Sequence, residues 1–470
     1  MCQIVCWMYG EGYLAFVLPI AIALVLGATG FYLGRDSGQS MSRKDGYIIV
    51  SSVWVIFTLI GMLPFLISGT VGDVSSAFFE TMSGFTSTGA TVIDNLDGVP
   101  HGLLFWRSLT QWVGGIGIIF FTIAILPAFG IGEVKLFAAE STGPLHDKVH
   151  PRISVTARWI GSVYVLLTVL CIMSLVVCGM NWFDAVNYAF CTTATGGYAT
   201  HSDLIHDVYN SPAIEYVLTS FMLLSGINYT LIYYTILKGR IRTFLKDAEA
   251  RAYLFVVGFA TLVCTVTLIF YNPAHDIELA FRESIFTVVS MQTTTGFAVC
   301  DYTQWPVQLM PVLLFVMFAG ACSGSTSGGF KCVRLSIIYR VLKNEFTHIL
   351  HPRAILPVRL NGAVMQPSII QTLIGFITLF VGSLFVGAFI LALFGVSPND
   401  VHPSFDYYEA FGIAMSSISN VGPGMGYYGP VHSWAILTPL AKMMCSFLML
   451  IGRLEIFPIM ILFTRSFWRK

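Results

Sequence analysis

The chain has 470 residues, of which 56% are hydrophobic and only 11% are charged. This composition excludes a water-soluble globular domain and predicts a polytopic membrane protein, because so apolar a chain needs lipid around most of its surface. The 25 Lys and Arg residues balance 25 Asp and Glu residues, so there is no positive excess for a nucleic-acid partner. The ten cysteines mostly lie within apolar segments without a CxxC pair, which is typical of buried thiols.

The amino-terminal part of the chain predicts one leading helix and then two spans around a shorter helix. Residues 13–33 form the first apolar run, and the positive-inside rule places the basic linker after it in the cytoplasm and the amino terminus outside. Residues 47–69 and 103–129 are again long enough to span, whereas 71–85 is too short. We interpret 71–85 as a re-entrant half-helix that leads into a loop.

The order of span, half-helix, loop and span recurs three more times, which predicts an all-α membrane protein built from four repeated units. An amino-terminal helix and linker at 1–46 precede unit one at 47–135, unit two at 136–250, unit three at 251–350 and unit four at 351–470. Units two and four should each end in a span, at 213–237 and 433–464. The basic end of the chain, Arg465, Arg469 and Lys470, places the carboxyl terminus in the cytoplasm.

Four short runs ending in Gly follow the half-helices, and their glycines are 100 to 126 residues apart. Hydroxyl and carbonyl oxygens are suitable ligands for a dehydrated cation, and Gly allows the backbone to turn its carbonyls inward. The runs therefore predict an ion filter, with four ordinary Thr/Gly turns as the alternative. They are Thr86, Ser87, Thr88 and Gly89; Thr193, Ala194, Thr195 and Gly196; Thr293, Thr294, Thr295 and Gly296; and Ser419, Asn420, Val421 and Gly422.

The four copies differ in quality. The copy in unit three is the best, whereas Pro423 removes a backbone N–H and should make the copy in unit four irregular. In unit three the apolar segment that follows the filter is also interrupted. Residues 320–329 place four glycines and four hydroxyl residues at membrane depth, which predicts either a gate that lines a water-filled path or a simple helix kink.

Several charged residues need an explanation at the predicted membrane depth. Arg453 lies within an apolar helix, so its charge needs a carboxylate such as Glu80, backbone carbonyls or water as a partner. Lys331 and Arg334 are expected to reach toward the cytoplasm. Acidic residues near the half-helix starts fit either helix capping or cation attraction at the outer mouth. These acids are Asp73, Asp184, Glu283 and Glu409.

The single leading span and the four repeated units resemble the Trk/Ktr/HKT superfamily of potassium transporters. The interruption at 320–329 and the Gly452-Arg453-Leu454-Glu455 segment are most similar to its bacterial TrkH/TrkG branch. One departure is that this branch usually carries two helices ahead of unit one, and only one is evident here. The resemblance implies four fused channel-like units around one central pore, with K⁺ as the transported ion.

The same resemblance implies the gate and the partners. Gly324, Ser325, Thr326, Gly328 and Gly329 match an intramembrane loop that obstructs the pore beneath the filter. The matching Arg453 lies at this loop, where the resemblance implies that it acts as an electrostatic barrier to cations or as a latch for the gate. The resemblance further implies a homodimer in the bacterial inner membrane that works with a separate cytosolic nucleotide-binding ring of the TrkA type. No nucleotide is expected on this chain itself. The expected contact surfaces for the ring are 238–251 and 340–359, although positive-inside topology alone explains their charges.

Two other function classes fit the sequence less well than a pore. An intramembrane enzyme is disfavoured because the sequence has no HExxH motif, paired intramembrane aspartates or phosphate loop. A proton- or sodium-coupled carrier is the stronger rival, but carriers of that kind are typically built from inverted repeats with broken helices. The parallel repeats with half-helices favour a pore.

Overall fold

The computed structural model describes residues 1–35, 42–120, 153–239, 241–272, 276–354, 356–396 and 405–469. The predicted boundary between units one and two, the end of the 103–129 span and the basic residue Lys470 lie outside these ranges. The described part is mostly helical, as the sequence predicted. Five of its helices are long and apolar enough to cross a membrane, and the number rises to seven if each of two bent helix pairs is one span.

The amino-terminal helices and unit one follow the predicted order. A short helix at Cys2–Tyr9 precedes the leading span, and a capping box at Ser42 and Asp45 starts the first span of unit one. Asp73 caps the half-helix through a hydrogen bond from the backbone N–H of Ser76. The helices of this part are Leu14–Gly34, Arg43–Gly61, Leu63–Ser68, Val74–Phe85 and His101–Phe120.

Units two and three repeat the pattern. Unit two consists of Ile153–Val177, the half-helix Trp182–Ala194, Ile205–Tyr209, Pro212–Ser225, Tyr229–Ile232, a π-helical turn at Tyr233–Leu237 and Ile241–Lys246. Unit three consists of Ala248–Tyr271, the half-helix Ile277–Gln292, 3₁₀ turns at Tyr302–Gln304 and Val307–Leu309, Met310–Ala319 and Cys332–Leu350. The last two helices flank the interruption that the sequence predicted.

Unit four contains, ahead of its first long helix, a two-stranded antiparallel hairpin, Arg359–Leu360 with Ala363–Val364, in which Arg359 lies opposite Val364. Its helices and 3₁₀ turns are Pro367–Phe394, the half-helix Tyr407–Ser419, Gly426–Tyr428, Pro439–Arg453, Phe457–Met460, Ile461–Phe463 and Arg465–Trp468. The hairpin is joined to the start of unit three because Asn361 donates to Asp247 and accepts from the N–H of Ala248.

The predicted spans at 213–237 and 433–464 are each sharply bent. The helix in unit two turns by 104° after Ser225, and the helix in unit four turns by 115° after Arg453. Broken backbone at membrane depth needs other hydrogen-bond partners. In unit two these come from the interrupted segment of unit three: Cys322 N–H donates to Gly226 O, and Tyr229 N–H donates to Gly324 O.

The four units pack in chain order around a closed ring. The half-helices of units two, three and four each lie against the second span of the unit before them. The half-helix Val74–Phe85 of unit one lies against Pro439–Arg453 of unit four, which closes the circle. Lys442 is buried at this closing contact and donates to Ser76 Oγ at 2.8 Å. The ring brings the carboxyl ends of all four half-helices together.

Candidate ion filter and gate

Each half-helix ends in a residue with left-handed backbone, and these residues define equivalent positions in the four loops. The residues are Ser87, Thr195, Thr294 and Asn420, with φ between 51° and 58°. In every unit the next residue donates its N–H to the carbonyl five residues earlier, which closes the helix end in the same way. A glycine with positive φ then follows two residues after the left-handed one. These glycines are Gly89, Gly197, Gly296 and Gly422.

The predicted alignment of unit two is therefore wrong by one residue. Thr195 has the backbone conformation of Thr294, so the run equivalent to those of the other units is Ala194, Thr195, Gly196 and Gly197, and Thr193 precedes it. Unit two contains two consecutive glycines, and only the second has positive φ, which the sequence alone does not reveal. The runs predicted for units one, three and four match the structural positions without a shift.

The four glycines allow the loops of neighbouring units to pack closely in a ring. A Cβ built on Gly89 would overlap the carbonyl oxygen of Gly196, and one on Gly197 would overlap that of Thr295. A Cβ on Gly296 would likewise overlap the carbonyl oxygen of Val421. Gly422 closes the ring, since its Cβ would lie 2.6 Å from the carbonyl oxygen of Thr88. Counted along each four-residue run, these glycines occupy the fourth position and the carbonyls that they contact belong to the third. Each fourth-position glycine thus permits the third-position carbonyl of the next unit to approach, which a larger residue would prevent.

Hydroxyl groups support the loops from within. Thr86 Oγ1 and Thr88 Oγ1 are 2.8 Å apart, and the equivalent pair in unit three, Thr293 and Thr295, is 2.7 Å apart. Asn420 crosses from unit four to unit one, where its Nδ2 donates to Thr88 Oγ1 at 3.0 Å. All of these side chains are fully buried. The loops form a rigid, oxygen-rich ring in which four chain segments share one axis.

The interrupted segment of unit three lies directly beneath this ring. Residues 320–329 are all buried. Gly328 N–H donates to Thr294 Oγ1 at 2.8 Å, and Thr326 Oγ1 donates to Thr193 O at 3.0 Å. A Cβ on Gly328 would overlap the carbonyl oxygen of Ser419. The segment therefore contacts the carboxyl ends of the half-helices and the loops of units two, three and four.

The comparisons with known proteins agree with this architecture. The family model for the cation transport protein TrkH matches residues 13–470. This chain belongs to the TrkH family. It is 35% identical over 459 residues to the Trk system potassium uptake protein TrkH of Escherichia coli K12, covering 97% of this chain and 92% of that protein. It is 33% identical over 487 residues to TrkG of the same organism, covering 100% and 98%.

A solved structure gives the same result for the fold. The crystal structure of the potassium transporter TrkH from Vibrio parahaemolyticus matches with a TM-score of 0.89 and 33% sequence identity, covering 100% of this chain and 95% of that one. The all-α polytopic fold predicted from the sequence is confirmed. As a member of the TrkH family of cation transport proteins, the chain is a transporter and not an enzyme.

Arg453 joins the interrupted segment of this TrkH-family chain to unit one. Its Nη1 donates to Thr326 O at 2.7 Å, and its Nη2 donates to Ser87 Oγ and to Gly114 O, both at 3.1 Å. The side chain is 2% exposed, and among the described residues it has no carboxylate at ion-pair distance. Backbone carbonyls and a hydroxyl thus accept its hydrogen bonds, while its charge is not neutralised.

The alternative in which Arg453 pairs with Glu80 is wrong, because Glu80 pairs with Arg107. Arg107 Nε lies 2.8 Å from Glu80 Oε1, and both side chains are fully buried. Glu80 also accepts from the N–H of Val92 and from Thr91 Oγ1, just after the filter run. Arg107 was not among the residues predicted from the sequence, although an Arg six residues into an apolar helix is a signal of a buried ion pair.

The expectation for Lys331 and Arg334 is also wrong. Both side chains are buried, and both donate to the carboxylate of Glu455, with Lys331 Nζ at 2.8 Å. Glu455 has a left-handed backbone at the bend of the unit-four helix, so its side chain turns inward to meet them. A buried carboxylate between two cations explains why neither cation reaches the cytoplasmic surface.

The acids near the half-helix starts mainly stabilise the local backbone and the neighbouring loops. Asp73 caps its helix, and Glu409 accepts from the N–H of Tyr427 beyond the unit-four filter. Asp184 accepts from Thr200 Oγ1 and Tyr209 OH, so it fixes the segment that leaves the unit-two filter. Capping and tying of the outgoing segment are thus the observed roles at these three positions.

A cavity of about 120 Å³ opens at the ring, and the glycines Gly89, Gly197, Gly296 and Gly422 line it. Asp94 and Asp203 lie on its wall together with Arg107. His201, also on the wall, lies 3.0 Å from Asp97 and 3.1 Å from Asp184. Burial disfavours its charged form, but hydrogen bonds to the two carboxylates outweigh burial and raise the pKa of His201 above its ordinary value.

Proposed function

We propose that this chain carries K⁺ into the cell across the bacterial inner membrane, through the ring formed by its four loops. The observation that supports this most strongly is the cyclic contact of each fourth-position glycine with the third-position carbonyl of the next unit. Four carbonyls at one level, backed by buried hydroxyls, can replace the water around a dehydrated cation. The names of the relatives, which are potassium uptake proteins, supply the identity of the ion.

The proposed ion ligands are the backbone and hydroxyl oxygens of four runs. In units one, three and four these are the predicted runs, and in unit two we assign Ala194 to Gly197. Thr193 has a different role in the proposal, because its carbonyl accepts from Thr326 of the interrupted segment. K⁺ is cargo here, and the chain needs no resident cofactor or bound nucleotide for the proposed transport.

The interrupted segment is the proposed gate. It lies beneath the ring and contacts the filter ends of three units, and Arg453 ties it to the fourth. In this arrangement the positive charge of Arg453 opposes cations below the filter, because no neighbouring carboxylate at ion-pair distance balances it among the described residues. Opening requires the segment to leave the axis and Arg453 to release Thr326.

The regulator and the assembly belong to the same proposal. A cytosolic nucleotide-binding ring would act on the cytoplasmic face, and the basic segment 238–251 together with 340–359 is the surface we assign to it. The hairpin at Arg359–Val364 is bound to Asp247 at this face, so force applied there reaches the start of unit three. We further propose a homodimer with the carboxyl terminus in the cytoplasm.

A coupled carrier is the second candidate, and flux measurements separate the two. Purified protein in liposomes is given K⁺ or Rb⁺ outside, and the pH and Na⁺ gradients are set independently. A pore predicts flux that follows the electrochemical gradient of K⁺ alone. Flux that requires a proton or Na⁺ gradient, and reverses with it, would replace the pore by a carrier.

A further inference from the structure

Gln111 lies behind the filter on the second span of unit one and has no exposed surface. Its Nε2 donates to the carbonyl oxygen of Gly196 at 2.7 Å, and its Oε1 accepts from the N–H of Tyr198 at 3.2 Å. The amide therefore binds the unit-two loop on both sides of Gly197. Arg107, one helical turn earlier on the same face, donates to Ala199 O and stacks over the ring of Tyr198 at 4.0 Å.

The third position of unit two is adapted to this contact. Thr88, Thr295 and Val421 carry side chains at the third position of the other units, whereas unit two has Gly196. A Cβ on Gly196 would overlap the amide of Gln111, so the amide occupies the space that a side chain takes elsewhere. Gly196 does not have positive φ. Its lack of a side chain is thus required by Gln111 and not by backbone conformation.

The Gly196 carbonyl also keeps its place in the ring. It contacts Gly89 in the same way that the carbonyls of Thr295 and Val421 contact Gly197 and Gly296. The hydrogen bond from Gln111 therefore does not divert the carbonyl from the ring. Of the four third-position carbonyl oxygens, this is the one that accepts a described side-chain N–H.

We propose that Gln111 is a specificity-determining positioning residue, which lowers the field strength of one filter carbonyl and restrains its movement; this rests on the proposed K⁺ filter. The N–H directs its positive end at an oxygen that also faces the ion, so this oxygen attracts a cation less strongly. Oxygen ligands of weaker field and fixed spacing favour K⁺ over the smaller Na⁺. Loss of the amide raises the field strength and frees the carbonyl, and both changes favour Na⁺.

The test compares K⁺ and Na⁺ influx into liposomes for the wild type and Gln111→Met, which has similar length but no N–H donor. We expect the K⁺/Na⁺ ratio to fall about fivefold, the size of effect that loss of one buried hydrogen bond gives. Ser108→Ala is the matched control, because Ser108 is buried on the same helix and its hydroxyl bonds to Leu104 O within that helix. Its ratio should stay at the wild-type value.

A double variant separates the amide from simple packing. Gln111→Ala with Gly196→Thr fills the vacated space with the side chain that units one and three use, yet supplies no N–H to the carbonyl. We expect it to conduct with a ratio as low as that of Gln111→Met. A wild-type ratio in either folded variant would overturn the role of Gln111. A wild type without K⁺ preference would instead overturn the proposed filter itself.

Discussion

Gly296 of unit three lies so close to the carbonyl oxygen of Val421 in unit four that a Cβ on the glycine would overlap it. The same relation joins Gly89 to Gly196 and Gly197 to Thr295. Because the contact is repeated around the ring, a single change should disturb the carbonyls of two neighbouring units at once. This couples the identity of the glycines to ion selectivity.

Gly296→Ser should reduce K⁺/Na⁺ discrimination while the protein still folds. The new Cβ must displace the Val421 carbonyl, and a non-glycine residue at φ 83° adds strain of about 1 kcal/mol or more. The measurement is the ratio of K⁺ to Na⁺ influx per inserted molecule. An unchanged ratio would remove Gly296 from the filter.

The register of unit two can be tested with a matched pair. Gly197→Ala places a Cβ at φ 76° against the Thr295 carbonyl, whereas the equivalent change in the predicted alignment is Gly196→Ala. Both glycine changes are made in a Gln111→Ala background, which leaves room for a Cβ at Gly196. In this background Gly196→Ala should give ordinary K⁺ flux, and Gly197→Ala should not. Equal flux from the two glycine variants would contradict the structural register.

Deleting residues 324–328 should raise basal K⁺ flux, because the segment that contacts three filter ends is shortened while the ring remains. Dependence on the cytosolic partner should weaken in parallel. Uptake is measured with and without that partner, using protein shown to be folded and inserted. Low flux in such protein would make the segment a structural hinge instead of a gate.

Arg453→Ala should increase K⁺ flux, and Arg453→Lys should retain part of the block, since the charge persists without the planar fork. Arg453→Ala also frees the carbonyl of Thr326, so the segment is less firmly held. Because Glu80 already pairs with Arg107, no ion pair with Glu80 is lost. Uptake per inserted molecule decides the matter, and lower or unchanged flux in folded Arg453→Ala would reject the barrier.

External pH should affect stability through His201. Its raised pKa means that the folded state stabilises the protonated form of His201. The contribution of His201 to the free energy of unfolding is therefore complete below its ordinary pKa of about 6.5 and is lost as pH rises through the folded-state pKa. Thermal unfolding should therefore show less stability at pH 8 than at pH 6. His201→Gln keeps a hydrogen-bonding side chain but should flatten this part of the pH profile; an identical slope would exclude His201.

The sequence was sufficient for the repeat and for the loop runs of units one, three and four because half-helix length and Gly position are local signals. It was insufficient where segments far apart in the sequence supply each other's hydrogen-bond and ion-pair partners. The bend after Ser225 is stabilised by the backbone of residues 322 and 324, and Glu455 meets Lys331 more than a hundred residues away. Gln111 illustrates the same limit, because the sequence does not show that the Gln111 amide occupies the space beside Gly196 and so requires a glycine there.

The most direct measurement of the central proposal is the position of a heavy K⁺ analogue in the protein. Crystals grown in Rb⁺ should show an anomalous peak on the axis of the ring, between the carbonyls of Thr88, Gly196, Thr295 and Val421, and crystals grown in Na⁺ should show no ordered ion there. A Rb⁺ peak elsewhere, with the ring unoccupied, would contradict the assignment of these four loops as the filter.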